Sequence, residues 1–342
     1  MKILVTGGGG YIGVVLCERL LGAGYGVRVL DRFFWGREVL ASLLPGVELL
    51  EGDVRAVPPK AFEGVDAVVH LAGLSNDPTA EYNPAANWEM NAVATERLAQ
   101  ACRQHGIRRF SFGSSASLYD GLGDGTYDET AQLSPRGAYS KAKFAAEQAL
   151  LGKAGPDFAP VILRQGTVYG FSPRLRLDLV VNTFAKDALL HGVLYLHGGG
   201  RMWRPLVDVT DVAEAHLRAL EAPVETVGGQ IFNVVHANFQ IRNLAELVAH
   251  AHALRRHHVR IAAVPAPALV RDYRCSNRKL AAVVGFEPRV TVLESIKDLL
   301  ARLPSDLDDA RYYNIRWMTK LEELHGPGAV WDSAADEVSS KR

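Results

Sequence analysis

Residues 3–13 read Ile-Leu-Val-Thr-Gly-Gly-Gly-Gly-Tyr-Ile-Gly, and this stretch decides the fold class. The apolar run breaks into glycines and then continues as a helical pattern through Leu16 and Leu20, which is the order strand, turn, helix of a dinucleotide-binding unit. Glycines permit the tight turn and let backbone amides approach a diphosphate at the positive end of the helix. The stretch therefore predicts a dinucleotide site formed by Gly7, Gly10, Tyr11, Ile12 and Gly13.

The residues after the second apolar run indicate which dinucleotide binds. The run Val27–Leu30 ends at Asp31, about 20 residues beyond the glycines, where an acid accepts hydrogen bonds from the adenosine ribose. A carboxylate there repels a 2′-phosphate, which favours NAD over NADP. Arg32 follows directly and offers a partner for such a phosphate, so NADP stays open as the alternative.

Short apolar runs alternate with helical patterns through the first half of the chain. This alternation predicts an α/β fold, a doubly wound parallel sheet of the Rossmann type, with ligands at the carboxyl ends of the strands. The predicted strands are 2–6, 27–30, 47–51, 67–71, 109–113 and 161–164, and the predicted helices are 11–21, 37–44, 88–105 and 136–151.

Beyond residue 164 the alternation gives way to loops and helices. We expect residues 1–165 to form the NAD-binding domain, with parts of 205–240 folding back on it, and residues 166–305 to form a smaller substrate-binding domain. A strand at 230–234 and helices near 209–220, 243–255 and 293–303 are predicted in this part. Residues 306–342 are expected to be an extension that packs as a helix or serves as an oligomer contact.

The composition points away from nucleic-acid and membrane partners. Lysine and arginine together number 38, as do aspartate and glutamate, so no overall basic field exists to attract a phosphate backbone. No apolar run approaches the about 18 residues of a membrane helix, and Met1 leads directly into a strand. Cys17, Cys102 and Cys275 lack metal-ligand spacing, so no metal is expected. These features favour a cytoplasmic enzyme.

Tyr139 and Lys143 are four residues apart, so on a helix both side chains project from one face. A tyrosine ordinarily ionises near pH 10, but a fixed cation nearby favours the phenolate and lowers the pKa. The pair therefore suggests an acid/base that exchanges a proton with a substrate hydroxyl. The structural alternative is a partly buried ring beside a solvated lysine.

Several motifs in order make the chain resemble a family, the extended short-chain dehydrogenase/reductases that act on nucleotide sugars, including UDP-galactose 4-epimerase and its relatives. The resemblance runs from Met1 to about Arg302. Its motifs are Gly7-x-x-Gly10-x-x-Gly13, Gly52-Asp53-Val54, His70-Leu71-Ala72, Asn91, Ser114-Ser115-Ala116-Ser117-Leu118-Tyr119, Tyr139-x-x-x-Lys143 and Trp203-Arg204-Pro205-Leu206-Val207-Asp208.

The resemblance implies roles for three residues. Tyr139 would remove the proton from a sugar hydroxyl while hydride leaves the same carbon for the nicotinamide. Lys143 would bind the nicotinamide ribose and keep Tyr139 acidic, and Ser115 would hydrogen-bond the reacting oxygen. Ser114 is the adjacent alternative for the serine role. The resemblance also extends the cofactor site to Asp53, Val54, Leu71, Ala72, Gly73 and Asn91.

The residues after Ser115 separate the reactions of similar enzymes. Dehydratases of this type carry an Asp-Glu pair there, and UDP-glucuronate decarboxylases have a glutamate at the second position, whereas this chain has Ala116 and Ser117. What remains is oxidation and reduction at one carbinol. The same machinery serves a 4-epimerase, which keeps its NAD, and a 4-ketoreductase, which takes in reduced NAD(P). The preference of Asp31 for NAD favours the epimerase.

The resemblance implies a nucleotide-diphosphate sugar as substrate. Asn182 resembles the asparagine that touches its phosphate, and Arg204 and Arg271 resemble two arginines that bracket the diphosphate. Thr167 lies where relatives have a sugar-facing asparagine, and Asn76 starts a segment that could cover the sugar or form a turn. Ser75 and Ser117 complete the expected substrate site.

Three further expectations follow from the same motifs. Residues 88–105 and 136–151 resemble the helix pair of a four-helix dimer bundle, so a homodimer is expected, although polar residues such as Arg97 and Arg103 occupy their outer faces. A non-catalytic NAD-binding scaffold would have a damaged Ser, Tyr or Lys, and all three are intact. A reductase of a non-sugar ketone would lack diphosphate-binding residues such as Arg204.

Overall fold

The computed structural model describes residues 1–266, 271–326 and 328–332. Seven parallel strands form its main sheet. Numbered in chain order, they lie from edge to edge as β11 (Gln230–Val234), β7 (Ala159–Gln165), β5 (Arg109–Ser115), β4 (Ala67–His70), β1 (Lys2–Thr6), β2 (Gly26–Asp31) and β3 (Val47–Glu51).

Helices cover both faces of this sheet, because successive side chains of a strand point to opposite faces. Ile3 packs in the core beneath α1 (Tyr11–Gly22) and α7 (Val209–Glu221). Leu4 packs in the opposite core beneath α4 (Ala94–Gln104) and α5 (Gly137–Leu151). The predicted doubly wound parallel sheet is confirmed.

The helix predicted over 88–105 begins earlier and is interrupted. Two short helices, α2 (Asp77–Tyr82) and α3 (Pro84–Trp88), precede a π-helical turn at Glu89–Val93 that leads into α4. The side chain of Asn83 accepts a hydrogen bond from the backbone N–H of Ala86 at 3.0 Å and so caps α3, whose first residue is a proline. Asparagine followed by proline thus marks a helix start that the hydrophobic period alone misses.

Beyond β7 the chain forms a second lobe with strands that the sequence did not predict. A three-stranded sheet contains β8 (Thr167–Tyr169), β10 (Trp203–Asp208) and β12 (Ala237–Gln240), and β9 (Val193–His197) pairs with β13 (Arg260–Val264). These strands are three to six residues long, and their pairing partners are distant in sequence, so local preference is a weak guide to them.

The helices of the second lobe surround its own core. The principal ones are α6 (Val180–His191), α9 (Ile241–Ala253) and α11 (Val292–Arg302). The smaller elements are β6 (Thr126–Tyr127), α8 (Val224–Val227), β14 (Arg274–Cys275) and α10 (Arg278–Val284), and the helix predicted at 37–44 is a 3₁₀ segment, Glu38–Leu43. No helix in the described ranges is long and apolar enough to cross a membrane.

The C-terminal extension packs against the NAD-binding half as α12 (Asn314–His325) and α13 (Gly328–Trp331). The indole N–H of Trp317 donates to the carbonyl of Phe34 at 2.7 Å, which fixes α12 to the loop after β2. Met318 packs in the same cluster as Leu74 and Met90. Residues 333–342 of this extension lie outside the described residues.

Candidate active site

A cavity opens at the carboxyl ends of β1, β2, β4 and β5, at the sheet edge where the sequence predicts the ligand. One side is the turn from Gly7 to Gly13, here called the glycine wall. Arg174 and Arg176, which follow β8 and are here called the arginine wall, line the cavity as well. Asn314 and Met318 of α12 also line the cavity.

Most of the predicted cofactor residues meet at this cavity. All of them except Asn91 line it, namely Gly7, Gly10, Tyr11, Ile12, Gly13, Asp31, Arg32, Asp53, Val54, Leu71, Ala72, Gly73, Tyr139 and Lys143. Of the predicted substrate residues, Ser75 lines it as well.

The glycine wall admits no side chain at two positions. A Cβ on Gly13 would lie 2.2 Å from the carbonyl oxygen of Gly7, and a Cβ on Gly7 would lie 2.5 Å from the backbone nitrogen of Ala72. Gly7 also has a φ of +77°, which L side chains rarely adopt. The turn therefore brings backbone amides to the start of α1, where the helix dipole favours an anion.

Asp31 ends β2 beside this wall. Its carboxylate accepts hydrogen bonds from the backbone N–H of Gly9 at 2.9 Å and of Phe33 at 2.8 Å. Burial raises the pKa of Asp31, and these two amides act in the opposite direction. The carboxylate is thus held in place at the cavity, where it can accept hydrogen bonds from a ribose.

Asp53 forms the floor of the cavity beside a second pair of arginines. Its carboxylate accepts from Arg55 at 2.7 Å and lies 3.3 Å from Arg32. Burial acts to raise the pKa of Asp53, but the hydrogen bonds from Arg55 prevail and lower it. Arg32 also donates to the carbonyl of Val330 at 2.9 Å, so it links Asp53 to the C-terminal extension.

The two serines at the end of β5 point in different directions. The hydroxyl of Ser114 donates to the carboxylate of Glu147 at 2.5 Å, in the buried interior. Glu147 in turn forms a buried ion pair with Arg164 at 2.7 Å. Ser115 lies beside Tyr139, and its hydroxyl acts to lower the pKa of that phenol. Ser114 lines the cavity and Ser115 does not, but it is the hydroxyl of Ser115 that reaches Tyr139.

The sequence predicts that Lys143 lowers the pKa of Tyr139, but in the structure another cation acts on this phenol. Burial raises the pKa of its phenol, and the positive charge that acts most strongly against this comes from Arg271. Lys143 is only 5% exposed, donates to the carbonyl of Gly113 at 2.9 Å and lies 6.0 Å from the centroid of the Tyr139 ring. Burial lowers the pKa of Lys143 to about 8, with Glu147 acting in the opposite direction.

Three of the residues predicted to contact a ligand are buried and form hydrogen bonds within the protein. Asn182 is fully buried; its amide donates to the carbonyls of Gly170 and Arg176, at 3.1 and 2.8 Å. The amide of Asn91 donates to the carbonyl of Leu74 at 2.9 Å, which fixes the loop after β4. Ser117 is 1% exposed and hydrogen-bonds Ser115 and Ser140. Each of these side chains orders a cavity-lining segment without lining the cavity itself.

The other predicted substrate residues lie at the second lobe. Arg271 forms an ion pair with Asp77, which is close enough to Tyr139 to affect its pKa. Arg204 donates to the backbone carbonyl of Arg271 and lies 5.7 Å from the centroid of the Tyr273 ring. Thr167 pairs with β10, and the amide of Asn76 donates to Asp178 at 3.1 Å. A cationic patch thus borders Tyr139, but the charge of Arg271 is already compensated.

The sequence reasoning missed the arginine wall and the residues that hold it. The available signal was the alternation Arg174-Leu-Arg176-Leu-Asp178, which directs successive charges to one side of an extended segment. The contribution of α12 had no comparable signal, because Asn314 and Met318 reach the cavity only through long-range packing.

The residues present fit a dinucleotide. The glycine wall can hold its diphosphate, Asp31 its adenosine ribose, and Lys143 and Tyr139 its nicotinamide end. The collision of a Cβ at Gly7 or Gly13 with backbone leaves the amides of this turn bare toward a diphosphate. Within the described ranges, no group of three or more His, Cys, Asp and Glu residues could hold a metal ion.

Comparisons with known proteins identify the family of the chain. The model of the NAD dependent epimerase/dehydratase family matches residues 3–234. The UDP-glucose 4-epimerase of Corynebacterium glutamicum is 27% identical over 334 residues, which cover 90% of this chain and 97% of that protein. The uncharacterized UDP-glucose epimerase YtcB of Bacillus subtilis is 33% identical over 237 residues, covering 65% of this chain and 73% of that protein.

A solved structure shares the whole architecture. MoeE5, in a complex with UDP-glucose and NAD, is 26% identical and superposes with a TM-score of 0.76 over 88% of this chain and 98% of that one. Because the family model matches more than half of the chain, the family is established, and the expected cofactor NAD is confirmed. The chain belongs to the NAD-dependent epimerase/dehydratase family.

Proposed function

We propose that the protein is a nucleotide-sugar epimerase that inverts C4 of a UDP-sugar with NAD. One observation carries the proposal: Ser115 and Tyr139 meet beside the NAD cavity, and the residues that follow Ser115 offer no further acid or base. Ala116 is fully buried, and Ser117 is occupied by hydrogen bonds to Ser115 and Ser140. The site is therefore equipped to move one proton on one oxygen.

Tyr139 and Ser115 divide the proton chemistry. Bound NAD supplies the hydride acceptor and donor. Tyr139, as phenolate, takes the proton of the C4 hydroxyl as the C4–H bond breaks, and it returns that proton when the 4-keto-sugar is reduced on its other face. Ser115 hydrogen-bonds the reacting oxygen throughout. Substrate and product have the same oxidation state, so no net oxidant is needed.

The charges of Arg271 and Asp77 act on the ionisation of Tyr139 in opposite directions. Burial opposes the phenolate, while Arg271 favours it. Asp77 neutralises part of that charge through its ion pair with Arg271. A bound diphosphate would compete with Asp77 for Arg271, and Arg204 lies adjacent to share the anion. This arrangement supports a nucleotide diphosphate as the recognised group.

The missing acids argue against the other reactions of the family. Elimination of water needs an acid and a base for C5 and C6, and decarboxylation of a UDP-glucuronate in similar enzymes uses a glutamate at the position of Ser117. Ala116 and Ser117 can supply neither. The homodimer and the cytoplasmic location stay predictions.

Purified protein tests the proposal without added cofactor. Incubation with UDP-glucose or UDP-galactose should convert each into the other, with an absorbance of reduced cofactor that rises and falls during turnover.

Ser115→Ala should lower the rate about 10²–10³-fold, as loss of an oxyanion donor does. Ser114→Ala is the matched control, since its hydroxyl faces Glu147, and should leave catalysis nearly unchanged. Net consumption of added NADH by a 4-keto-sugar, without epimerisation, would show a ketoreductase instead.

A further inference from the structure

Arg174 is a buried cation at the cavity without a carboxylate partner. Its side chain belongs to a residue that is only 4% exposed, and within the described ranges no Asp or Glu lies within ion-pair distance of it. Its guanidinium donates to the side-chain oxygen of Asn314 and, at 3.3 Å, to the carbonyl of Leu175. It also stacks over the ring of Trp35, 3.9 Å from the centroid.

Its neighbour Arg176, on the same wall, does have a carboxylate partner. Arg176 donates Nε to one carboxylate oxygen of Asp178 at 2.8 Å and Nη2 to the other at 3.0 Å, and it also reaches Ser75. Burial lowers the pKa of Arg174 to about 9, and the nearby charge of Arg176 adds to this effect, while Asp178 and Asp31 act in the opposite direction without forming an ion pair with it. A buried charge without a counter-ion is unfavourable, so the site is arranged to receive an anion.

The position of Arg174 identifies which anion. Arg174 stacks on Trp35, in the loop that follows Asp31 at the end of β2. The carbonyl of the neighbouring Arg176 accepts from the amide of Asn182, which also donates to the hydroxyl of Tyr11 in the first turn of α1. Asp31 marks the adenosine ribose, and the start of α1 marks the diphosphate of a dinucleotide. Arg174 therefore lies near both the acid expected at the adenosine ribose and the start of α1.

We propose that Arg174 is a cofactor-binding residue that pairs with the diphosphate of NAD from the arginine wall, and that Trp35 and Asn314 position it. The glycine wall then binds the diphosphate with backbone amides, and Arg174 supplies the opposing charge. The inference holds for an epimerase and for a ketoreductase alike, because both bind the same dinucleotide.

The inference gives the C-terminal extension a part in cofactor binding. Asn314 begins α12 and lies beyond residues 3–234, which the family model covers. Its amide donates to the hydroxyl of Ser75 at 2.9 Å while its oxygen accepts from Arg174, so it joins the loop after β4 to the arginine wall. Trp317, three residues later, fixes α12 to Phe34.

Ligands of graded length test the proposal on protein stripped of its cofactor. Isothermal titration with adenosine, ADP and NAD would be compared for the wild type, Arg174→Gln and Arg174→Lys. Arg174→Gln should weaken ADP and NAD about 10- to 100-fold, the range of a charged hydrogen bond, and leave adenosine within about twofold. Arg174→Lys should lose less, because it keeps the charge without the fork.

Arg302→Gln is the matched control. Arg302 also stacks on an aromatic ring, 3.9 Å from the centroid of Phe171, but its partner is Asp298 and it does not line the cavity. It should bind all three ligands as the wild type does. Equal losses for adenosine and ADP in Arg174→Gln, or unchanged ADP binding, would overturn the proposal. If thermal melting shows that Arg174→Gln does not fold, Arg174→Lys tests the proposal instead. Its ratio of ADP affinity to adenosine affinity should be lower than in the wild type, and an unchanged ratio would overturn the proposal.

Discussion

The glycine wall and the arginine wall face the same cavity but are built by different means. On the glycine wall, backbone atoms approach so closely that a Cβ on Gly13 would lie 2.2 Å from the oxygen of Gly7. On the arginine wall, long charged side chains are held by partners from distant elements, such as Asn314 on Arg174 and Asp178 on Arg176. The first wall is specified locally and the second by tertiary structure, so substitutions on the two should fail differently.

The largest effect is expected where the chemistry takes place, next to the glycine wall. Tyr139→Phe removes the proton acceptor and should lower turnover about 10²–10⁴-fold, the usual contribution of a general base. Because phenylalanine keeps the ring, and the glycine wall and Lys143 are unchanged, NAD content after purification should match that of the wild type. Steady-state rates and the cofactor content of the same preparation measure both. Retention of most activity would remove Tyr139 from the mechanism.

Gly13→Ala tests the local specification of the glycine wall. The added Cβ collides with backbone at Gly7, so either the turn or α1 must shift, and unfolding free energy should fall by about 2 kcal/mol or more. NAD binding should fall with it.

Gly22→Ala in the same helix is the control for that substitution. A Cβ on Gly22 has no neighbouring atom within 4 Å, so this variant should be neutral or about 0.5 kcal/mol more stable. Urea unfolding of both variants separates the two cases. Similar stabilities would mean that the turn tolerates side chains and that the contrast between the walls is wrong.

The pH dependence of stability tests the burial of Lys143. Burial lowers its pKa from 10.5 to about 8, so the unfolded chain binds more protons than the folded chain between these values. Stability contributed by this site must therefore rise as the pH increases from about 8 to 10.5. Urea unfolding of Lys143→Met at each pH should lack this rise. Parallel curves for the two proteins would show that Lys143 is solvated.

The smallest effect is expected at the ion pair beside Tyr139. The side chains of Asp77 and Arg271 are 40% and 25% exposed, so solvent screens their attraction, and Asp77→Asn should cost less than about 1 kcal/mol of stability. Freed of its partner, Arg271 should bind UDP a few-fold more tightly in a titration. Weaker UDP binding by this variant would mean that Asp77 positions Arg271 for the substrate rather than competing with it.

The two walls also differ in how far the sequence predicts them. The bounds of β1, β3 and β11 match the predicted strands, and the glycine wall follows from a local rule about turns and helix ends. Parallel topology then brings the carboxyl ends of β1, β2, β3, β4 and β5 to one edge, which accounts for Asp31 and Asp53 at one cavity.

Side-chain direction and long-range packing account for what the sequence reasoning missed. The amides of Asn182 and Asn91 donate to backbone carbonyls in the interior, and the Oδ1 atom of Asn91 has no hydrogen-bond partner there, so a ligand role for either residue stays a prediction. Neighbouring serines on a strand point to opposite sides, so only the fold distinguishes Ser115 from Ser114. Asn314 reaches the cavity from the far end of the chain, and no local sequence pattern predicts such a contact.

The central claim is that one carbon loses and regains hydride within a single bound complex. UDP-glucose carrying deuterium at C4 would be incubated with the purified protein, without added cofactor, and the products analysed by NMR. We predict UDP-galactose that retains deuterium at C4, because the hydride returns to the carbon it left. Loss of the label to solvent, or no inversion by protein that contains NAD, would contradict this account.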